Sequence, residues 1–498
     1  MIKILHLICS QTLGGGVRAM VAAAKYSAAQ GDFQHHVAFL IPPEQNVIDF
    51  VQQEGLKFLA GWNFDELRRL IPAYDIVQVD WWNMPQLDAF LRSDLPEMRL
   101  LTWAHVGGHC PPQVITSELI EFSDFVLASS PHCYRADAFQ QLRHELRHEK
   151  TDMIYDSADF ARLENLTPKR SDRFTVGYIG LLEFKKLHSD FVTMSAEIQV
   201  PNIRFVVCGT LVNDVLQEQV RKLQAQEKFV FRGFVENIKN DIESFDVYGY
   251  PLCEDTYAAG ELNLQEVMYA GVPPVVFPYG GLDDLVIDQF TGLVVKTQRE
   301  YREAIEFLYH YPQERQRLGR NAQEYARQIF GAHNTAAKFN RIYKQLLQAP
   351  KRTRQWRERS QLPSLTNVDL GATAFIESIG LNKAVFQSSI LGSTISDLLD
   401  ADRKIAHSTP QLFEGGIIAY RDYYPNDRFL RFWAGLVYLQ NGLYTQAEDE
   451  LTKAVELGCQ HWRIKSYLAK AAVQLGKQEV ATALMLDVLT NAPDFLRL

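Results

Sequence analysis

Tyr257-Ala-Ala-Gly-Glu261-Leu-Asn-Leu-Gln-Glu266-Val-Met-Tyr-Ala-Gly271-Val-Pro-Pro-Val-Val276 is the stretch that decides the fold. Gly260 closes a loop and residues 261–270 read as a helix. Gly271 stops that helix and Pro273-Pro274 keep it from resuming. The apolar run Val275-Val276-Phe277 is therefore predicted to be a short buried strand before a turn at Gly280-Gly281. Loop, helix and strand in that order belong to a parallel sheet. A helix that opens at the carboxyl edge of such a sheet gathers unpaired N–H groups and a positive dipole end, the geometry that holds a diphosphate.

The same grammar runs outward in both directions. The chain opens on a predicted strand over residues 2–9, then Gly14-Gly15-Gly16 and an amphipathic helix over 17–30. Glycines between strand and helix let the backbone approach an anion, although a tight turn without a ligand has the same sequence. Arg18 reads either as an aid to that anion or as a solvated helix residue. Further strands are expected at 36–41, 76–79, 99–102 and 125–128, alternating with helices, which indicates a doubly wound α/β domain. Ligand groups in such domains lie just past the strand ends, which singles out Asp80-Trp81-Trp82-Asn83, His105 with Gly107-Gly108, and Ser129-Ser130. Trp81 and Trp82 read as stacking surfaces for a ligand or as packing residues. A second series of strands is expected at 174–180, at 203–208 ending on Gly209, at 229–233 before Phe234 and Val235, at 245–251 and at 291–295, with helices over 313–330 and 335–347.

Composition sets the outer limits. A length of 498 residues with 47% hydrophobic side chains fits about three ordinary domains, and a net charge of -9 argues against a binder that works through nucleic-acid phosphates. The six cysteines are scattered without Cys-x-x-Cys pairing, as reduced packing residues of a cytoplasmic protein are. The N-terminal residues do not read as a signal peptide, and no apolar segment long enough to span a bilayer occurs. These features predict a soluble, cytoplasmic protein, with peripheral contact at the inner membrane as the alternative.

Glu266-Val-Met-Tyr-Ala-Gly-Val-Pro-Pro-Val-Val resembles the donor-binding signature of retaining glycosyltransferases with two Rossmann-like domains, the GT-B enzymes of glycosyltransferase family 4, or group 1. The resemblance implies an α/β fold with acceptor groups in the first domain and the nucleotide-sugar donor in the second. It implies catalytic roles for His105, Lys186, Glu261 and Glu266: His105 faces the donor sugar, Lys186 holds the diphosphate with Lys185 adjacent, and Glu266 holds the ribose hydroxyls. By the same resemblance, Gly15, Gly16, Gly209, Phe234, Val235, Gly260, Glu261, Leu262 and Asn263 complete the donor site, with Phe234 or Val235 meeting the base. The donor so implied is a nucleotide diphosphate hexose, UDP favoured over GDP, and neither metal nor cofactor is called for. Residues 153–159, where the family has Asn-Gly-Val-Asp, are the implied interdomain strand, and 163–173 the hinge. Two positions depart from the pattern: the first Glu of the signature is Ala258, and an Arg expected before Lys186 is Leu181. These departures keep open a scaffold that binds nucleotide sugar without turnover.

Beyond the match, Lys351-Arg-Thr-Arg-Gln-Trp-Arg-Glu-Arg359 reads as a solvated basic connector. Then Gly442, Tyr444, Ala447, Leu451 and Ala454 recur thirty-four positions later as Gly476, Gln478, Ala481, Met485 and Val488, the period of tetratricopeptide helix pairs. A degenerate third repeat is expected around 409–425, with capping helices over 374–408. The expected domains are 1–165, 172–330, a crossover helix over 331–350, a basic linker over 351–372, and a helical repeat domain over 373–498. The repeats are expected to bind a protein partner or self-associate, with a purely stabilising role as the alternative, and to fold through their own neighbours, so that a chain ending after Pro350 keeps the first two domains unless these share an apolar interface with the repeats. The acceptor, whether protein, glycan or lipid-linked, is not specified by these residues.

Overall fold

The computed structural model describes residues 1–167, 172–211, 214–356, 369–408 and 415–492. The chain forms two compact units. The first holds residues 1–81, 96–110 and 123–353; the second holds 82–95, 111–122 and 354–498.

The first unit contains two parallel sheets. Strands β1 (Ile2–Ile8), β2 (Phe33–Phe39), β3 (Lys57–Ala60), β4 (Ile76–Trp81), β5 (Leu100–Ala104), β6 (Phe125–Ala128) and β7 (Thr151–Met153) lie in the order β3-β2-β1-β4-β5-β6-β7. The central strands are apolar almost throughout because helices cover both faces of a parallel sheet. The edge strand β3 has no fully buried residue and is not among the strands expected from the sequence. The second sheet has β8 (Phe174–Ile179), β9 (Ile203–Cys208), β10 (Phe229–Gly233), β11 (Val247–Tyr250), β12 (Pro274–Val276) and β13 (Leu293–Val294) in the order β10-β9-β8-β11-β12-β13. Both orders reverse beside the first strand, the point at which doubly wound sheets open a crevice for ligands. Two Rossmann-like domains are thus present, as expected.

The signature stretch folds as its composition dictates. Its helix runs Leu262–Tyr269 between Glu261 and Ala270, Gly271 takes φ 79° to end it, and β12 begins at Pro274. Gly280 and Gly281 turn with φ 60° and 74°. The expected interdomain strand over 153–159 is shorter: β7 stops at Met153, and residues 154–159 form a connection that ends in the short helix Phe160–Leu163. Part of the expected hinge, 168–171, lies outside the described residues. Helix Ala332–Leu346 packs on helix Gly15–Ala28 and places Phe339, Ile342, Tyr343 and Leu346 in the core of the first sheet domain, the crossover the sequence implied.

The connector after residue 350 is only partly solvated where it is described: Arg352, Thr353 and Gln355 are exposed, but its basic side chains are docked on the protein. Lys351 donates to the carbonyl of Pro72 at 2.9 Å, and Arg352 pairs with Asp124 and bridges to Met98 in an antiparallel β-bridge. In the second unit Arg354 is buried over the ring of Phe122, and Trp356 meets Phe122 at 5.1 Å. The long aliphatic stems of basic residues allow this docking, which a count of charges misses. Residues 357–359 lie outside the described residues.

The second unit is helical after residue 369. Helices Arg428–Gln440 and Tyr444–Glu456 precede helices Trp462–Gln474 and Gln478–Asn491, so that both starts repeat after 34 positions, at 428 and 462 and at 444 and 478. Gly442 and Gly476 end corresponding helices with φ 73° and 74°. Gly435 lies where a Cβ would stand 2.6 Å from Leu451, the small residue at a helix crossing that the repeat requires. Helices Leu370–Ser378, Lys383–Leu391 and Ile395–Ala406 precede these two helix pairs, and helix Ile417–Tyr423 lies within 409–425, where a degenerate third repeat is expected.

This unit does not consist of C-terminal residues alone. Helix Pro85–Arg92, which comes after β4, packs against helices Leu370–Ser378 and Ile417–Tyr423. Asn83 donates to Ser378 Oγ at 3.2 Å and accepts from the Tyr420 hydroxyl at 3.0 Å, while Arg92 joins Asp88 to Glu377. Asn83, a candidate ligand group from its place after a strand, is a structural residue here. The C-terminal helices therefore do not pack on their own neighbours alone: they share an apolar interface with helix Pro85–Arg92, the case in which the first domains are not expected to survive truncation. Among the described residues no helix is long and apolar enough to cross a membrane.

Candidate active site at the carboxyl edges of the two sheets

Glycines set how closely the backbones meet at the site. Gly209 has φ 152°, and a Cβ on it would stand 1.8 Å from the Gly180 carbonyl, so the chain past β8 and past β9 meets this closely only because Gly209 lacks a side chain. A Cβ on Gly16 would meet the His105 ring at 3.5 Å, one on Gly15 would meet Leu262 at 3.8 Å, and one on Gly260 would fall 2.6 Å from Asp156. The Gly107 N–H donates to the Tyr257 carbonyl at 2.9 Å. Gln265, fully buried, donates to the carbonyls of Asp156 and Gly260 and accepts from the Ala158 N–H. The loops of the first domain, the connection at 156–158 and the start of the helix Leu262–Tyr269 therefore converge.

Two acid and base pairs sit on that helix. Glu261, just before its first residue, pairs with Lys186 at 2.9 Å and accepts from the Tyr250 hydroxyl. Glu266, farther along, is buried and accepts from Arg162 Nε at 2.7 Å and from a second guanidinium nitrogen in a forked pair. The two carboxylates thus face different partners, as five residues of helix separate them by about 140°. Lys185, also buried, is pushed down to about 8 by burial. Asn263 donates to the carbonyl of Ile179 at 3.3 Å, Phe234 is 62% exposed, and Val235 is half-buried against the core of the second sheet.

His105 lies between two acids. Its Nδ1 is 2.9 Å from Asp156 and its Nε2 is 3.3 Å from Asp80, all three buried. Burial opposes charge on the ring, but Asp156 and Asp80 together override it and raise its pKa to about 10. Asp80 is held below the usual carboxylate range by its hydrogen bonds from His105 and His6, which outweigh burial. The chain of contacts continues through His6 Nδ1 at 3.0 Å, His6 Nε2 to His35 at 2.9 Å, and His35 to Ser27 at 2.8 Å. Both ring nitrogens of His105 are engaged, so what it offers the crevice is a fixed positive charge and not a free N–H donor.

This charge makes stability depend on pH. The folded pKa of His105 lies above its unfolded value near 6.5, so its contribution is complete below 6.5 and is lost as pH rises through about 10. Asp156→Asn is expected to cost about 3 kcal/mol at neutral pH, and the gap from the parent should close toward pH 10. Urea unfolding of both proteins across that range tests this, and a gap independent of pH would show that His105 is uncharged.

Of the groups singled out by sequence, the structure brings Gly16, His105, Gly260, Glu261, Glu266 and Lys186 to one region. Trp81 is buried at the end of β4, and Ser129 and Ser130 contact Cys133 Sγ at 3.7 Å, so these serve packing. The roles of Asp156, Arg162, Tyr250 and Gln265 come from the structure and not from the sequence. The signal the sequence does carry is a polar residue in otherwise apolar parallel strands, which marks His6 and Asp80 as well.

Residues 159–325 match the family described as Glycosyl transferases group 1. No curated protein matches the sequence. Among solved structures, the chain is similar to HepE of Anabaena in complex with UDP and glucose, at 18% identity and TM-score 0.57, over 69% of this chain and 100% of that one. It is similar to a glycosyltransferase from Rickettsia africae at 15% identity and TM-score 0.58, over 70% and 98% of the two chains. It is similar also to the pneumococcal O-GlcNAc transferase GtfA in complex with UDP and GlcNAc, at 12% identity and TM-score 0.55, over 70% and 99%. The segment that carries Lys186, Glu261 and Glu266 thus matches the model of the group 1 glycosyl transferases, and the two Rossmann-like domains have the GT-B fold of these solved structures.

Proposed function

We propose that the chain is a retaining, metal-independent glycosyltransferase of the family 4 type, which moves a hexose from a UDP-sugar to an acceptor held by the loops of the first domain, and that its last helices are tetratricopeptide repeats. The observation that carries this reading is the arrangement of Lys186, Glu261 and Glu266 around the helix Leu262–Tyr269, at the carboxyl edge of the second sheet and inside the segment that matches the family. The UDP held by the solved neighbours supports the choice of nucleotide.

In this reading Lys186 and the helix N-terminus take the diphosphate, Glu266 the ribose hydroxyls, and Glu261 with Gly260 the sugar. The bond from the sugar C1 to the phosphate oxygen breaks while the acceptor oxygen bonds C1 on the same face, and the acceptor proton passes to the departing phosphate. The protein's work is positioning and charge: Lys186 and the imidazolium of His105 are fixed cations beside a leaving group that gains negative charge.

Glu266→Ala should weaken UDP binding roughly ten- to a hundredfold, because ribose hydroxyls lose a charged acceptor worth about 1.5–3 kcal/mol. Calorimetry measures this, and unchanged affinity in a folded variant removes Glu266 from the site. A second reading is favoured by Leu181 and Ala258, which replace two donor-contacting groups: a nucleotide-sugar-binding scaffold. Calorimetry with UDP-sugars together with an assay for released UDP separates the two. Release establishes an enzyme, binding without release across donors and acceptors establishes the scaffold, and absence of binding overturns both.

A further inference from the structure

A second cluster, made from both sheet domains, takes no part in that chemistry. His132 lies in the short helix Pro131–Arg135 after β6, and Asp283 and Asp284 open the turn of helix Leu282–Leu285 after β12. A ring nitrogen of His132 and one carboxylate oxygen from each aspartate lie within 4.8 Å of one another. Gly281 makes the approach possible, since a Cβ there would stand 2.6 Å from His132 Cβ.

The hydrogen bonds of His132 define which lone pair it has left. His109 Nδ1 lies 3.2 Å from the Gly107 carbonyl, which can only accept, so His109 Nδ1 carries the hydrogen. In the neutral ring His109 Nε2 is then an acceptor, and it faces His132 Nε2 at 3.2 Å, so His132 donates from Nε2. His132 Nδ1 is left as a bare lone pair, and this atom is buried without a hydrogen-bond partner in a residue only 5% exposed. A histidine whose one N–H is tied through a relay to a carbonyl and whose other nitrogen is unprotonated is prepared as a metal ligand. The two acids of the cluster pair with Arg135, which is half-exposed and at 3.4 Å from both, longer than a well-formed charged hydrogen bond.

We propose that His132, Asp283 and Asp284 bind one divalent transition-metal cation of the zinc class, which clips the loop after β6 to the loop after β12 and displaces Arg135 into solvent. One imidazole and two carboxylates leave a position for water in a tetrahedral shell, and the imidazole selects a transition metal over magnesium or calcium. The inference does not rest on the transfer reading, because the cluster shares no residue with the donor groups.

The test is calorimetry of the full chain, stripped with a chelator and titrated with Zn2+. His144 and His148, an exposed pair at 3.1 Å, are replaced first by Gln to remove a surface chelate. One equivalent is expected to bind in this background. Asp283→Asn with Asp284→Asn, both on partly exposed side chains, should weaken binding at least tenfold, and Arg135→Ala should tighten it severalfold by removing the competing cation. Co2+ in place of Zn2+ should show no thiolate charge-transfer band, which separates this site from the free cysteines. Loss of binding in the His144→Gln, His148→Gln background, a thiolate band, or an affinity unmoved by the aspartate and arginine changes overturns the proposal.

Discussion

A chain ending at Pro350 is expected to lose its native fold along with its C-terminal helices. Leu87, Phe90 and Leu91 of helix Pro85–Arg92 are buried, and that helix has helices Leu370–Ser378 and Ile417–Tyr423 as neighbours. Exposing each of these side chains costs up to about 3 kcal/mol, so the three together approach the whole stability of an ordinary domain. The cut also removes Glu377, leaving the buried Arg92 with Asp88 alone, and strips Asn83 of Ser378 and Tyr420. Expression of residues 1–350 should give aggregated material or a melting temperature lower by more than about 10 °C. A soluble monomer that melts within a few degrees of the parent would show that the first domains are self-sufficient after all. The replacement of Leu87 and Phe90 by Ala in the full chain tests the same packing without truncation, and should lower stability by several kcal/mol.

Lys186→Ala should lower the maximal rate of transfer about a hundred- to a thousandfold while weakening donor binding tenfold or less. A lysine placed where a diphosphate leaves acts mainly on charge that develops in the transition state, and removal of one such preorganised group costs that much. In the free protein Lys186 is fixed by Glu261 at 2.9 Å, and Glu261 in turn by the Tyr250 hydroxyl, so the cation waits in place and its reorganisation cost is small. Steady-state rates and UDP affinity for parent and variant decide the matter. A change confined to the Michaelis constant would make Lys186 a binding group only, and no change in either would remove it from the site.

Sequence by itself determined the two doubly wound domains, the helix of the signature stretch, expected over 261–270 and found over Leu262–Tyr269, the crossover helix and the thirty-four-residue period of the last four helices. Each is a local matter. Gly271 and Pro273-Pro274 end a helix whatever surrounds them, apolar runs between turns fill parallel strands, and a repeat reports a packing unit that each copy carries within itself. The roles of Lys186, Glu261 and Glu266 were placed by resemblance, and their convergence at one sheet edge came from the order of the strands.

Tertiary structure alone decided the partners. Arg162 stands on Glu266 across 104 positions, and Asp80 and Asp156 meet on His105 across 25 and 51. Such pairings depend on where separate strand ends are brought together, and no periodicity encodes them. The same reason hid the mixed makeup of the helical unit: the apolar face of Pro85–Arg92 looks like any helix of an α/β domain, and nothing within it says that helices almost three hundred residues later will cover it. It also hid the cluster of His132 with Asp283 and Asp284, in which neither loop carries a metal-ligand spacing by itself and only the close approach allowed by Gly281 makes one.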